Sequence, residues 1–174
     1  EENDKEIIFK DLFNLEEAEI TTFIRRIDNI LRSFFEDVLV AIEKGKIDKK
    51  TNKEIEEADK EITKLYLLIG RIFMKSLKNP SVLHSLKIDS LTLFNSWWTA
   101  LYLEQVGDEL KRISKTLEKP IESNNQSLSD LLKRIYQNYK TCMDSHYKQD
   151  KNLATSIIDT NQEVFLDCDN SNQK

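Results

Sequence analysis

Glycine, proline and cysteine are scarce in this chain of 174 residues, which contains three glycines, two prolines and two cysteines. Strand-rich folds need many turns, and glycine and proline supply most turn conformations, so this composition favours long helices. Cys142 and Cys168 are too few for the disulfide framework that stabilises small secreted domains. We therefore expect an all-α protein that works in a reducing compartment, the cytoplasm.

Long apolar runs and an excess of positive charge are also absent. No stretch approaches the ~20 apolar residues of a membrane-spanning helix, and no signal peptide is visible. The net charge of -5 does not indicate a basic face for nucleic-acid phosphates. We expect neither membrane insertion nor nucleic-acid contact from this part. Because the chain begins at Glu1, without a methionine, we expect a piece of a longer protein.

Apolar residues recur at helical spacing through most of the chain, and charged residues make up 33% of it. Capping residues and helix breakers predict five helices, which begin at or after Asn14, Thr51, Pro80, Ser127 and Asn152. Gly45 is placed to end the first helix. In the third helix the predicted buried set is Phe94, Trp98, Val106, Leu110, Ile113 and Leu117. Long helices with short connections favour antiparallel neighbours, so we predict an antiparallel up-and-down helical bundle.

Three parts of the chain differ in character. Residues 1–13 read as a short extended lead-in, 14–119 as a three-helix unit, and 120–174 as a linker followed by two helices. A loose internal repeat supports this division, because 34–62 and 138–164 both lead from an aromatic-bearing helix through a basic turn to an acidic helix. In this interpretation the second repeat is incomplete, because it lacks its third helix.

Two acidic residues of the third helix, Glu104 and Asp108, are four positions apart and share one helix face. Gly107 lies between them, where glycine costs about 1 kcal/mol relative to alanine, so a close approach by another helix or a ligand is expected there. One interpretation is a solvated face whose carboxylates pair with Lys111 and Lys115. The other is a cation site, but two carboxylates are too few for a hard cation.

Asp59 is the first candidate for a further ligand. It lies on the apolar stripe of the second helix, between Ile55 and Ile62, so it should be partly buried and needs a partner. That partner is either a hydrogen-bonding or ion-pairing group within the bundle, or a cation shared with the third helix.

Cys142 and His146 are one helical turn apart, a spacing that suits zinc, but no second pair of ligands completes such a site. A packed core cysteine and histidine is the favoured interpretation. Trp97 and Trp98 are adjacent and cannot both face one core. We expect one of them at a dimer or partner surface.

Enzymatic functions find little support in the sequence. A ferritin-type di-iron centre needs Glu-x-x-His motifs, but Ser81 precedes His84 by three residues and Met143 precedes His146. No nucleophile accompanies a histidine base, and no glycine-rich phosphate loop is present. We predict that the chain is not an enzyme.

Two motifs carry a family resemblance. The segment LEQVGDELKRI resembles the third-helix motif of PhoU-like phosphate-uptake regulators, usually written Leu-Glu-Arg-Ile-Gly-Asp-His. Glu104, Gly107 and Asp108 match that motif, while Gln105 and Glu109 depart from it.

The segment EEADKEITKLYLLIGRIF resembles the second-helix motif of the same family. Asp59 occupies its first acidic position, and Thr63 stands where a second aspartate is expected. IIDTNQEV offers Asp159 and Glu163 at the same spacing in the second repeat. The lead-in IIFKDLFN is similar to the junction that follows an AbrB-like domain in archaeal members.

The resemblance implies a bundle of three-helix repeats whose acidic motifs bind a divalent or trivalent metal such as zinc, iron or magnesium. Its metal-ligand candidates here are Asp59, Glu104, Asp108, Asp159 and Glu163. It implies as partners the ATPase of a phosphate ABC transporter or, in bacteria, a sensor kinase, and we expect a homodimer. The predicted function is non-enzymatic regulation of phosphate uptake and phosphate signalling through protein contacts. The alternative is a helical dimerisation module of a transcriptional regulator whose DNA-binding domain is absent from this chain.

Overall fold

The computed structural model describes residues 20–120, 125–158 and 161, and all regular secondary structure in these residues is helical. The helices are α1 (Ile20–Lys44), α2 (Lys49–Lys78), α3 (Ser81–Leu86), α4 (Ser90–Thr116) and α5 (Asn125–Lys148), followed by α6 over 151–158. The predicted all-α class is confirmed. The predicted lead-in over 1–13, the helix start at Asn14 and the residues after 161 lie outside the described part.

The turn between α1 and α2 is formed by one glycine and one aspartate. Gly45 has a φ of 71°, and the N–H groups of Gly45 and Lys46 bond back to the last turn of α1, as in a Schellman motif. The Asp48 side chain then accepts hydrogen bonds from the N–H groups of Lys50 and Thr51. Gly45 ends α1 as predicted. The predicted start of the second helix at Thr51 is wrong, because Asp48 caps the helix three residues earlier.

A short helix that the sequence analysis missed follows Pro80. The chain forms α3 there, turns through Lys87 in the left-handed conformation at φ 54°, and starts α4 one residue after Asp89. The Asp89 side chain caps α4 by accepting a hydrogen bond from the N–H of Thr92 at 2.8 Å. The predicted third helix therefore corresponds to α4 and begins at Ser90 rather than directly after Pro80.

Helices α1, α2 and α4 surround the main core, and α5 packs against α1. The largest fully buried apolar side chains come from these three helices and from the residue after α4; they are Ile27, Leu31, Val38, Ile42, Ile55, Ile62, Ile69, Leu93 and Leu117. Successive long helices run in opposite directions, and a hydrogen bond from the Ile47 N–H to the Leu117 carbonyl ties the α1–α2 turn to the end of α4. This arrangement confirms the up-and-down bundle.

The buried face of α4 differs from the predicted one. Phe94 is 38% exposed and Trp98 is 44% exposed, so their prediction as core residues is wrong. Leu110 and Leu117 of the predicted set are buried, and Val106 and Ile113 are partly buried. The other buried residues of α4 are Leu93, Ala100, Leu103, Gly107 and Ser114. Several of these side chains are small, which lets α4 lie close to its neighbours and leaves the larger aromatic side chains on the outside.

Gly107 is a point of close approach between helices, as the sequence predicted. A Cβ atom at this position would lie 3.3 Å from Cδ1 of Ile62 on α2 and 3.3 Å from Cδ2 of Leu31 on α1. Both distances are shorter than ordinary van der Waals contact. The neighbours are core side chains, so close helix packing accounts for the glycine.

Candidate functional site

The ammonium of Lys111 joins α2 to α4 through two carboxylates. Its Nζ donates to Oδ2 of Asp59 at 2.6 Å and to Oδ1 of Asp108 at 2.8 Å. The Asp59 side chain is 13% exposed, the Lys111 side chain 23% and the Asp108 side chain 44%. Lys111 is therefore the ion-pairing partner that the largely buried Asp59 requires. The predicted pair of Asp108 and Lys111 is also present.

Glu104 lies one turn before Asp108 on the same side of α4 and is partly buried. Burial raises the pKa of its carboxyl above the ordinary value, and the charges of Asp108 and Asp59 raise it further, against the opposing charge of Lys111. Burial alone would lower the pKa of Lys111, but its hydrogen bonds to Asp108 and Asp59 and their charges raise it. We name these four side chains, Asp59, Glu104, Asp108 and Lys111, the carboxylate–lysine cluster.

In this arrangement the side chains of the carboxylate–lysine cluster do not fit a resident metal ion. A lysine ammonium already lies between the carboxylates of α2 and α4. In the part of the chain that the structure describes, no three histidine, cysteine, aspartate or glutamate side chains are grouped to hold a metal ion. Asp159 and Glu163 lie outside that part, so their assignment as metal ligands stays a prediction.

The raised pKa of Glu104 predicts a pH dependence of stability. The folded state holds this proton more tightly than the unfolded state, whose ordinary pKa is 4.5. Stability is therefore favoured below pH 4.5 and falls as the pH rises through the higher folded pKa. We expect Glu104→Gln to unfold at higher urea concentration than the wild type at pH 7, and to lose this advantage below pH 4.

Urea titrations of both proteins between pH 3.5 and 8 test this expectation. Glu109→Gln is the matched control, because Glu109 is on the same helix but exposed and paired with Arg112. An equal gain for both variants, or a gain that does not change with pH, contradicts the assigned environment of Glu104.

A second polar cluster, which the sequence analysis did not identify, joins α1 to α5. Asp28 is 3% exposed and accepts hydrogen bonds from Nε of Arg32 at 3.0 Å, the hydroxyl of Tyr139 at 2.8 Å and the hydroxyl of Tyr147 at 3.0 Å. Burial and the charge of Asp28 raise the pKa of both tyrosines well above the ordinary range. One sequence signal was available, because Asp28 falls on the apolar stripe of α1, one turn after Ile24.

Cys142 and His146 do not form a core pair. Cys142 is exposed. His146 is partly buried beside Tyr147, and its pKa is lowered by burial, against the charge of Asp28. The favoured interpretation of a packed core cysteine is wrong. No metal-binding group includes them in the described residues.

The outer face of α4 carries a stripe of exposed apolar side chains. Leu91, Phe94, Trp98 and Tyr102 are all more than a third exposed, and we name them the aromatic stripe. The rings of Phe94, Trp98 and Tyr102 are in contact, with centroids 5.8 Å apart for the first two and 5.7 Å apart for the last two. Trp97 is partly buried and stacks on Phe73 at 5.0 Å, so the two tryptophans do not both face the core, as expected. The placement of one of them at a dimer or partner surface stays a prediction.

Tyr102 connects the aromatic stripe to a groove between α4 and α5. The floor of the groove is Phe35 of α1, and its walls include Val106 and Ile113 of α4 with Leu132 and Ile135 of α5. Glu109 and Arg112 also line the groove, where they pair with each other. The stripe and the groove adjoin at Tyr102, and the groove is of mixed character, because Gln105 and Asp108 line it as well.

Comparison with known protein families gives one match. The sequence model of the PhoU domain family matches residues 24–117, more than half of the 174 residues. The matched range covers most of α1 and all of α2, α3 and α4, including the carboxylate–lysine cluster and the aromatic stripe. Neither the curated proteins nor the solved structures compared with the chain include a match. No described helix is both long enough and apolar enough to cross a membrane.

Proposed function

Because the chain belongs to the PhoU family, we propose that it is a non-enzymatic regulator of phosphate uptake that acts by binding other proteins. The family is regulatory and interacts with phosphate-transport proteins in general. We propose as its partner the ATPase of a phosphate ABC transporter, and the cytoplasm as the place where they meet. A sensor kinase is the corresponding partner in phosphate signalling.

The aromatic stripe is the observation that supports a protein-binding role. Residues 90–103 contain no charged side chain, in a chain of which 33% is charged. Exposed tryptophan, tyrosine and phenylalanine without charge are typical of the centre of protein interfaces. Exposed apolar patches that are larger than is usual on a soluble monomer mark such interfaces. The adjoining groove extends this patch with further apolar side chains. We assign the partner contact to this surface.

We expect Trp98→Glu to weaken binding to the purified transporter ATPase by at least about 30-fold. Truncating a central aromatic residue commonly costs about 2 kcal/mol or more of binding free energy, and a buried glutamate adds a desolvation cost. Isothermal titration calorimetry measures the effect. Val40→Glu, on an exposed apolar position of α1, is the matched control. Unchanged binding by Trp98→Glu contradicts the assignment.

The second candidate is the dimerisation module of a transcriptional regulator. The same aromatic stripe supports it, because a second copy of the chain would also bury these side chains. Sedimentation of the wild type and Trp98→Glu separates the two functions. A dimer that Trp98→Glu dissociates, together with no binding of the ATPase by the wild type, favours dimerisation.

A further inference from the structure

The carboxylate–lysine cluster combines the acidic residues of two family motifs with a lysine that belongs to neither. Asp59 comes from the second-helix motif, and Glu104 and Asp108 come from the third-helix motif. Lys111 lies three residues after Asp108, beyond the last motif position at Glu109, and its side chain reaches across to α2. Its Nζ lies 2.6 Å and 2.8 Å from oxygens of Asp59 and Asp108, which are distances of charge-assisted hydrogen bonds.

The position of this ammonium leaves no room for a metal ion between the two carboxylates. A divalent cation bridging them would bind oxygens at about 2.0–2.6 Å, which is the space that the ammonium fills. A metal placed beside it would also meet like-charge repulsion in a partly buried region, where charges are poorly screened.

We propose that Lys111 is the resident cation of this site and takes the place of a metal ion between α2 and α4. A lysine ammonium supplies one positive charge and three hydrogen-bond donors. Because it belongs to the same chain, the link between α2 and α4 forms as the protein folds. The α2–α4 seam is therefore stable without metal. This inference concerns the architecture of the domain and does not depend on the proposed partner.

Removing the ammonium is expected to uncover a latent cation site. In Lys111→Gln, Asp59 and Asp108 remain on either side of the seam, with Glu104 one turn away. These are oxygen ligands of the kind that Mn²⁺ and Mg²⁺ accept, with waters completing the shell. We expect 1 mM Mn²⁺ to raise the Tm of Lys111→Gln by about 3 °C or more, and to leave the wild type within about 1 °C.

The experiment is a thermal unfolding series, followed by circular dichroism, on the full chain with and without Mn²⁺ or Mg²⁺. Lys115→Gln is the matched control, because it removes the same charge one turn along α4, where Lys115 lies 3.9 Å from Glu56. Lys111→Arg keeps the positive charge and is expected to remain indifferent to metal. Asp59→Asn/Lys111→Gln is expected to lose the metal response.

Three results would overturn the proposal. The first is a saturable Mn²⁺ response of the wild type that disappears in Asp59→Asn, because a metal would then share the site with Lys111. The second is a response of Lys111→Gln no larger than that of Lys115→Gln. The third applies if Lys111→Gln is unfolded without metal, and it is failure of the helical signal to recover when Mn²⁺ is added. Recovery of that signal supports the proposal.

Discussion

Asp28→Ala is expected to lower the free energy of unfolding by about 3–5 kcal/mol, the usual cost of removing one partner from a buried ionic cluster. The substitution leaves the Arg32 guanidinium and the hydroxyls of Tyr139 and Tyr147 without their shared acceptor. Each of these groups then carries an uncompensated desolvation cost. Urea unfolding followed by circular dichroism measures the loss.

Asp144→Ala is the control for this experiment. Asp144 also lies near Arg32, at 3.9 Å from its Nη2, but its side chain is 52% exposed, and such surface pairs contribute about 0–1 kcal/mol. Hydrogen exchange locates the effect, because Asp28 joins α1 to α5. We expect the amides of α5 to lose protection before those of α2 and α4. An equal loss for both variants would show that Asp28 does not anchor α5.

Ile62→Ala is expected to destabilise the protein by about 2–5 kcal/mol through a cavity at the centre of the bundle. Ile62 is fully buried, and its Cδ1 lies 3.3 Å from the position that a Cβ would take at Gly107 of α4. A glycine offers no side chain that can move into the vacated space, so the site should relax little. Thermal or urea unfolding measures the change.

Leu67→Ala is the matched control on the same helix. Leu67 is 48% exposed, and a surface substitution of this kind usually changes stability by no more than about 0.5 kcal/mol. A similar small loss for both variants would mean that the core collapses around the shortened side chain.

The buried face of a helix could be predicted only where its two faces differ in polarity. In α1 the buried apolar side chains follow one helical face from Ile20 to Ile42, because charged residues occupy the opposite face. The first half of α4 has apolar side chains on both faces, so periodicity alone could not choose between them. The predicted buried set placed Phe94 and Trp98 on the inner face. Packing against α1 and α2 selected the face with the smaller side chains instead.

Contacts within one helix were predictable, while those between helices were not. The pair of Asp108 and Lys111 follows from helical spacing. The contact between Lys111 and Asp59, 52 positions apart, depends on how α2 and α4 align along the seam. The same limit hid the Asp28 cluster, whose tyrosines come from α5, 111 and 119 positions along the chain. Sequence reasoning identified Asp59 as needing a partner but could not name it.

The two neighbouring tryptophans give the molecule a pair of built-in optical reporters. Trp97 lies over Gly70, where its Nε1 is 3.1 Å from the position a Cβ would take, so its fluorescence follows the packing of α4 against α2. Trp98 faces solvent, so its emission follows whatever covers the outer face. The ring centroids are 6.4 Å apart, close enough for excitation to pass between them. The two signals are therefore mixed in the wild type, and Trp97→Phe and Trp98→Phe isolate the outer and the inner reading in turn.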